Sequence, residues 1–223
     1  MEGDTTMSLT KKEKKIEQKH LAEEQREISM QHAFMKKYFK KKMEGAEKYD
    51  QYVSKDYDKV LLTAKTTFGV TDDEVNEFSP LVVSMPEAFY KGSNLSIKMG
   101  KKQDKIRYNQ SRLTVLLFGE TQLYYYQTLV DHQTSSFSDN HALELPYQAI
   151  MSIESKSSRY FSKKAFHHFV DLQLNLVNNQ VINLRLKNII KKESELKQGA
   201  IITKDIQDVL KDLLVFLRKK RGL

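Results

Sequence analysis

The sequence predicts an α+β fold: an N-terminal helical arm, then a small antiparallel β-barrel or sandwich capped by a C-terminal helix. Three observations carry this. Arg112–Phe118 is a continuous apolar run, Gly119-Glu120 breaks it, and the aromatic run Leu123–Tyr126 follows, as in a β-hairpin. Val170–Leu176 and Ile182–Leu186 alternate apolar with polar residues, giving two strands with one dry and one wet face. Ile206, Val209, Leu210, Leu213 and Leu217 then fall on one face of a closing helix over 203–221.

The arm occupies residues 1–78. Met1–Ser8 has the composition of a disordered lead. Leu9 to Glu44 lacks Pro and is built mainly from Lys, Glu, Gln and Ala, which are strong helix formers. Leu21, Ile28 and Met35 recur every seven residues, a thin coiled-coil seam suited to docking or self-association. A pair such as Lys19 and Glu23 supports a solvated helix. After Gly45 a second helix is predicted from Ala46 to about Thr67, with a wider stripe of Tyr49, Val53, Tyr57, Val60, Leu61 and Ala64. Thr71 and Glu74 have capping-box spacing for a short third helix reaching about Phe78. Pro80 and Pro86 mark a connector over 79–91.

The β-rich part spans 92–223. Leu95, Ile97 and Met99 alternate as a strand, and Lys105–Asn109 is placed to pair back on it. The second arm of the central hairpin extends to Val130, and polar Asp131–Asn140 reads as a loop. Leu143 and Leu145 begin a strand cut by Pro146, and another follows over Ile150–Ser155. Lys156–Lys164 reads as a basic loop. The last hairpin needs an odd-numbered turn, because only that puts leucines opposite leucines. Asn178–Gln180 is the expected loop, with Leu174 against Leu184 and Leu176 against Ile182. Asn188–Ile202 is a connector, and Thr203 is placed to cap the final helix. A fragment from Gly92 to Leu223 holds the closing helix and all the strand signals, and is expected to fold alone.

Composition narrows the function classes. The chain has 223 residues, 39% of them apolar, and no Cys, which excludes disulfides and thiolate metal sites. No apolar run reaches membrane-span length and no signal-peptide core opens the chain, so a cytoplasmic protein is expected. The formal net charge of +8 draws attention to anionic partners. The basic residues cluster in three places: Lys36, Lys37, Lys40, Lys41 and Lys42 around Tyr38 and Phe39; Lys156, Arg159, Lys163 and Lys164; and Arg218, Lys219, Lys220 and Arg221. Gathered on one face, they would hold a membrane-peripheral protein on anionic lipid. Kept apart, they are solvated cations, with Tyr38 and Phe39 packing inside. Nucleic-acid binding rests on the net charge alone.

No catalytic pattern is legible. His167 and His168 are strand neighbours and point to opposite faces, so they do not share a metal ion. His20, His32, His132 and His141 are scattered, and no phosphate loop, HExxH or nucleophile elbow occurs. The chain is therefore read as a non-enzyme without metal or cofactor. One or two of Tyr124, Tyr125 and Tyr126 are expected in the core.

The run Arg112–Tyr126, followed by Leu143-Glu144-Leu145-Pro146-Tyr147-Gln148-Ala149-Ile150-Met151-Ser152-Ile153, the hairpin Val170–Lys187 and the helix Asp205–Leu217, resembles the bacterial pleckstrin-homology-like (PH-like) domain family. The resemblance covers about Gly92–Leu223 and implies two near-orthogonal antiparallel sheets capped by the helix. It also implies a binding or scaffolding module with a protein or peptide partner. The basic phosphoinositide motif of eukaryotic members has no counterpart here, since Phe118-Gly119-Glu120-Thr121 is short and acidic.

Overall fold

A computed structural model describes residues 11–40, 45–88, 94–99, 106–162, 165–192 and 204–222. Two helices open it, α1 (Lys11–Lys40) and α2 (Ala46–Phe68). Gly69 ends α2 in the left-handed region at φ 65, and its N–H returns to the carbonyls of Lys65 and Thr66. A β-branched residue there would be strained, which is why Gly closes this helix. Thr71 and Glu74 do pair as the capping box requires, the Thr71 N–H donating to Glu74 Oε2 at 2.7 Å. They support only a single 3-10 turn, Asp73–Val75, because the chain enters a strand by Phe78.

The first sheet has strand order β1 (Phe78–Pro86), β4 (Gln110–Phe118), β5 (Gln122–Asp131) and β6 (Ser136–Pro146). A small ribbon, β2 (Ile97–Met99) with β3 (Ile106–Tyr108), pairs as the sequence suggests. The second sheet is β7 (Ile150–Ser162), β8 (Ala165–Leu176) and β9 (Val181–Lys192), followed by α3 (Lys204–Lys220). All pairings between strands are antiparallel, and no ladder joins the two sheets among the described residues.

Three cores hold these layers. Between the sheets, Leu116, Phe118, Leu123 and Tyr125 meet Leu172, Leu174, Leu176 and Leu184, and α3 adds Leu210, Leu213 and Leu217. On the other face of the first sheet, Val60 and Ala64 of α2 cover Leu113, Val115, Leu117, Tyr126 and Val130. This sheet is therefore buried on both faces, which explains why Arg112–Phe118 is a run and not an alternation. A third cluster joins α1 to α2 through Phe34, Met35, Tyr38, Tyr49 and Val53.

Several elements depart from the sequence reading. The connector drawn at 79–91 is strand β1 as far as Pro86, with residues 89–91 outside the described residues. Its prolines are tolerated because β1 is an edge strand: Pro80 lies in a register shift between Phe78 and Leu81, and Pro86 ends the strand. The polar loop expected at Asp131–Asn140 is a short turn followed by the start of β6, an exposed edge. The basic loop at Lys156–Lys164 is strand to Ser162, with Lys163 and Lys164 outside the described residues. Likewise β9 continues to Lys192, while the rest of the expected connector and Thr203 lie outside the described residues. The last hairpin has an odd loop, but it is Val177–Asn179: the Leu176 N–H donates to the Gln180 carbonyl, and Leu174 faces Ile182, two residues earlier than expected. Asn179 takes the left-handed conformation at φ 63, the position that such a loop reserves for its last residue. Asn183 and Asn175 stay on the wet face and Leu172, Leu174 and Leu184 on the dry one.

Candidate functional site

Two polar constellations stand out, one sealed and one open. The sealed one begins in α2. Asp56 interrupts the apolar stripe of Val53, Val60 and Ala64, and the fold buries it completely. Its carboxylate lies 2.7 Å from Nδ1 of His132, in the turn after β5, and His132 Nε2 lies 2.9 Å from Ser111 Oγ on β4. Ser135 Oγ donates to Asp56 Oδ1 at 2.6 Å. Gln31 of α1 donates to Asp56 Oδ2 at 3.2 Å and to the His132 carbonyl at 2.8 Å. The rings of Tyr57 and Tyr108 flank the imidazole, each with its centroid at 6.1 Å.

Serine, histidine and aspartate are thus hydrogen-bonded in the order used by hydrolases to activate a nucleophile. Ser111, His132 and Asp56 are each 0% exposed. A substrate carbonyl must come within about 3–3.5 Å of the nucleophile, and no surface reaches Ser111 Oγ here. The chain of bonds instead ties α1, α2 and the first sheet together. In the sequence His132 is one of several scattered histidines, and no motif spacing pairs it with Asp56 or Ser111. The readable signal was Asp56 itself, a carboxylate at a core position of an amphipathic stripe, and Gln31 between Ile28 and Met35 in the same way.

The tie continues toward the start of α2. Tyr49 Oη donates to the Tyr108 carbonyl at 2.7 Å and accepts the Tyr108 N–H at 3.0 Å. Arg107 makes a two-pronged pair with Asp50, at 3.1 and 3.0 Å. Burial raises the phenol pKa of Tyr49 and of Tyr57, because a phenolate would lose its water there. Lys98 sits 3.8 Å above the Tyr38 ring, and burial followed by the Arg107 charge lowers its pKa.

The open constellation is a cleft of about 460 Å³ where the edges of the two sheets approach. From the first sheet it is lined by Val83, Met85 and Pro86 of β1, Arg112 and Thr114 of β4, and Gln127 of β5, with Glu87 just beyond β1. From the second come Asp171 of β8 and Asn183 and Arg185 of β9. Each wall carries its own ion pair. Arg112 donates through Nε to Glu87 Oε2 at 2.6 Å, makes a second bond to Glu87 Oε1, and reaches Gln127 Oε1 at 2.8 Å. The bond to Glu87 holds the Arg112 pKa above its ordinary value. Arg185 grips Asp171 at 2.7 and 3.3 Å and lies 3.9 Å over the Phe169 ring. The cleft was not legible in sequence, because it assembles residues from strands far apart in the chain.

Among the described residues, the basic groups of α1 and of α3 lie at different ends of the first sheet. Lys36, Lys37 and Lys40 are exposed on α1, whereas Tyr38 is buried and stacks on Tyr49 at 5.4 Å, so it does not serve as a surface anchor. Lys156 is exposed on β7 opposite Asp171, and Arg159 lies on the same strand opposite His168. Lys41, Lys42, Lys163 and Lys164 are outside the described residues, as are the side chains of Arg159, His167 and His168. Arg218 and Lys219 are exposed, while Lys220 pairs with Glu77 at 2.9 Å and donates to the Glu120 carbonyl, and Arg221 donates to the Met151 carbonyl at 2.6 Å. That end of α3 lies beyond the Phe118 end of β4, and α1 meets the sheet at its Ser111 end. A nine-residue strand separates them by roughly 26 Å at about 3.3 Å per residue. Among the described residues no cluster of His, Asp and Glu could hold a metal ion, and no helix is long and apolar enough to cross a membrane.

No known protein family matches the chain, and neither a curated protein nor a solved structure similar to it was found.

Proposed function

We propose that this chain is a non-catalytic interaction module of PH-like design. A protein or peptide partner engages it at the cleft between the sheets, and the helical arm is docked on the outer face of the first sheet as a brace. The observation that carries this reading is the cleft itself, an open space of about 460 Å³ walled by side chains that are already paired with each other. That volume is within the roughly 300–1,000 Å³ usual for binding pockets. Ser111, with His132 and Asp56 behind it, is sealed away from the cleft. Separation of the basic groups along β4, and the engagement of Lys220 and Arg221 with their own chain, favour this reading over attachment to a flat anionic surface.

Site-directed photo-cross-linking tests it. A benzophenone amino acid at exposed Asn183, in the cleft, is expected to trap a polypeptide partner in a cell extract. The same group at exposed Leu62, on α2, is expected to trap none. Equal yields from both positions, or lipid or nucleic acid as the trapped species, would overturn the proposal.

A further inference from the structure

The outer face of α1 carries charge of one sign. Lys12, Lys15 and Lys19 lie near its start, Arg26 at its middle, and Lys36, Lys37 and Lys40 at its end, and all seven are exposed. At about 100° per residue they fall within an arc of about 120° centred on Lys15. The carboxylates turn elsewhere. Glu24 and Glu27 reach α2, pairing with Lys59 at 3.4 Å and with Lys55 at 3.2 Å. Glu17 lies about 160° round the helix from Lys15. Glu23 borders the arc, 3.9 Å from Lys19, and Lys19 alone of the seven has a carboxylate partner among the described residues. The same helix therefore sorts its residues into a face that docks and a face of unopposed cations.

The spacing of the cations says what fits. Lys15, Arg26 and Lys37 follow one another at eleven residues, close to three turns, so they stand in one line along the helix. At 1.5 Å per residue Lys15 and Lys37 are about 33 Å apart, each within its own cluster. A B-form duplex repeats about every 34–36 Å, so a line along it meets the same strand again after that distance. The other strand crosses between those points, where Arg26 stands. A lipid surface fits less well. Helices that lie on bilayers set Trp, Phe or Leu into the acyl boundary. Here Gln18, Ala22, Ser29 and Ala33 stand among the cations, with Met30 at the edge of the arc, while Phe34 and Tyr38 are buried against α2. Those small and polar residues also offer no set of long side chains for reading base edges.

We propose that α1 binds duplex DNA along its outer face, through the phosphates and without regard to sequence, while its inner face stays docked on α2. This surface is separate from the cleft, and the proposal does not rest on the interaction-module reading. Phosphate contacts of this kind release counterions and position a protein on the duplex without specifying a site.

The test is fluorescence anisotropy of a labelled duplex DNA of about two turns, titrated with the full chain over a series of salt concentrations. The logarithm of the affinity should fall against the logarithm of salt with a slope between about −4 and −6, at about 0.9 per phosphate neutralised. Lys15→Gln, Arg26→Gln and Lys37→Gln combined should flatten that slope by about 3 and weaken binding at least tenfold. Lys156→Gln, Arg218→Gln and Lys219→Gln combined remove the same charge from exposed positions of β7 and α3, and should leave the slope unchanged. Duplex RNA, with its shorter A-form turn, should bind at least threefold more weakly, and phosphatidylserine vesicles should not compete. No binding of DNA, equal losses in the two triple variants, or duplex RNA bound as tightly as DNA overturns the proposal. Vesicles that compete, with binding lost in the first triple variant, overturn it in favour of a membrane surface.

Discussion

Removing His132 or Asp56 perturbs the sealed network most directly, and its geometry sets the expected cost. Asp56 is fully buried and accepts from Gln31 and Ser135 besides facing His132 at 2.7 Å. Asp56→Ala leaves those donors facing a cavity, and His132→Ala leaves a buried carboxylate short of one partner and Ser111 Oγ without its own. Breaking one side of a buried pair costs about 3–5 kcal/mol, against a total stability of about 5–15 kcal/mol for a domain. The double variant removes both members at once, so its cost should fall short of the sum by about 1.5–3 kcal/mol, the value of a hydrogen bond to a charged group. Urea unfolding followed by far-ultraviolet circular dichroism, with the slope unchanged between variants, measures all three. Additivity within about 0.5 kcal/mol, or single costs under about 1 kcal/mol, would refute the claim that this network ties the arm to the sheet.

Leu213→Ala, at a fully buried position of α3, should cost about 2–5 kcal/mol by the same assay. Val215→Ala, 56% exposed on that helix, should stay within about 0.5 kcal/mol. Asn179→Val forces a β-branched residue into the left-handed turn position and should cost about 1–2 kcal/mol. Burial holds the phenols of Tyr49, Tyr57 and Tyr147 above their ordinary value, whereas unfolded tyrosines ionise near pH 10. The folded state therefore holds these protons more tightly, its stability is complete below about pH 10 and falls as the pH rises beyond, and phenolate absorbance should climb together with unfolding. A fragment of residues 92–223 strips α2 from Leu113, Val115 and Leu117 and removes β1, so it is now expected to lack a cooperative thermal transition. A sharp transition would show that the sandwich stands without its brace.

What was legible in the sequence is what local pattern controls. The closing helix, the central hairpin and the two faces of the last hairpin follow from periodicity. Alternation constrains a hairpin only in parity, because any even slip keeps every side chain on its face. That is why the leucines faced each other in the expected sense while the register lay two residues off. Turn chemistry settles the remainder, since the last position of the loop wants a left-handed residue and Asn179, not Gln180, accepts it. β1 was hidden by its prolines, which break a central strand but suit an edge. Neither constellation follows as a whole from local pattern, although Asp56 in its apolar stripe marks one member. His132 lies 76 residues from Asp56 in sequence, and its spacing from Ser111 matches no motif.

The sealed network also bears on the cleft. Apolar packing is non-directional, so the stripe of Val60 and Ala64 does not by itself fix where α2 sits along the sheet. A slip of one residue turns a helix by about 100° and would carry Asp56 away from His132 into apolar surroundings, at the cost of an unpaired buried carboxylate. Tyr49 with Tyr108 and Asp50 with Arg107 pin the helix near its start, and Asp56 with His132 pins it nearly two turns later. Tyr108 then donates its hydroxyl to Ser84 Oγ at 2.7 Å, which ties β1 into the same assembly. Ser84 lies between Val83 and Met85, whose side chains point to the opposite face, into the cleft. The bonds that dock the arm therefore also hold β1, and that wall of the cleft is braced from behind by the helices.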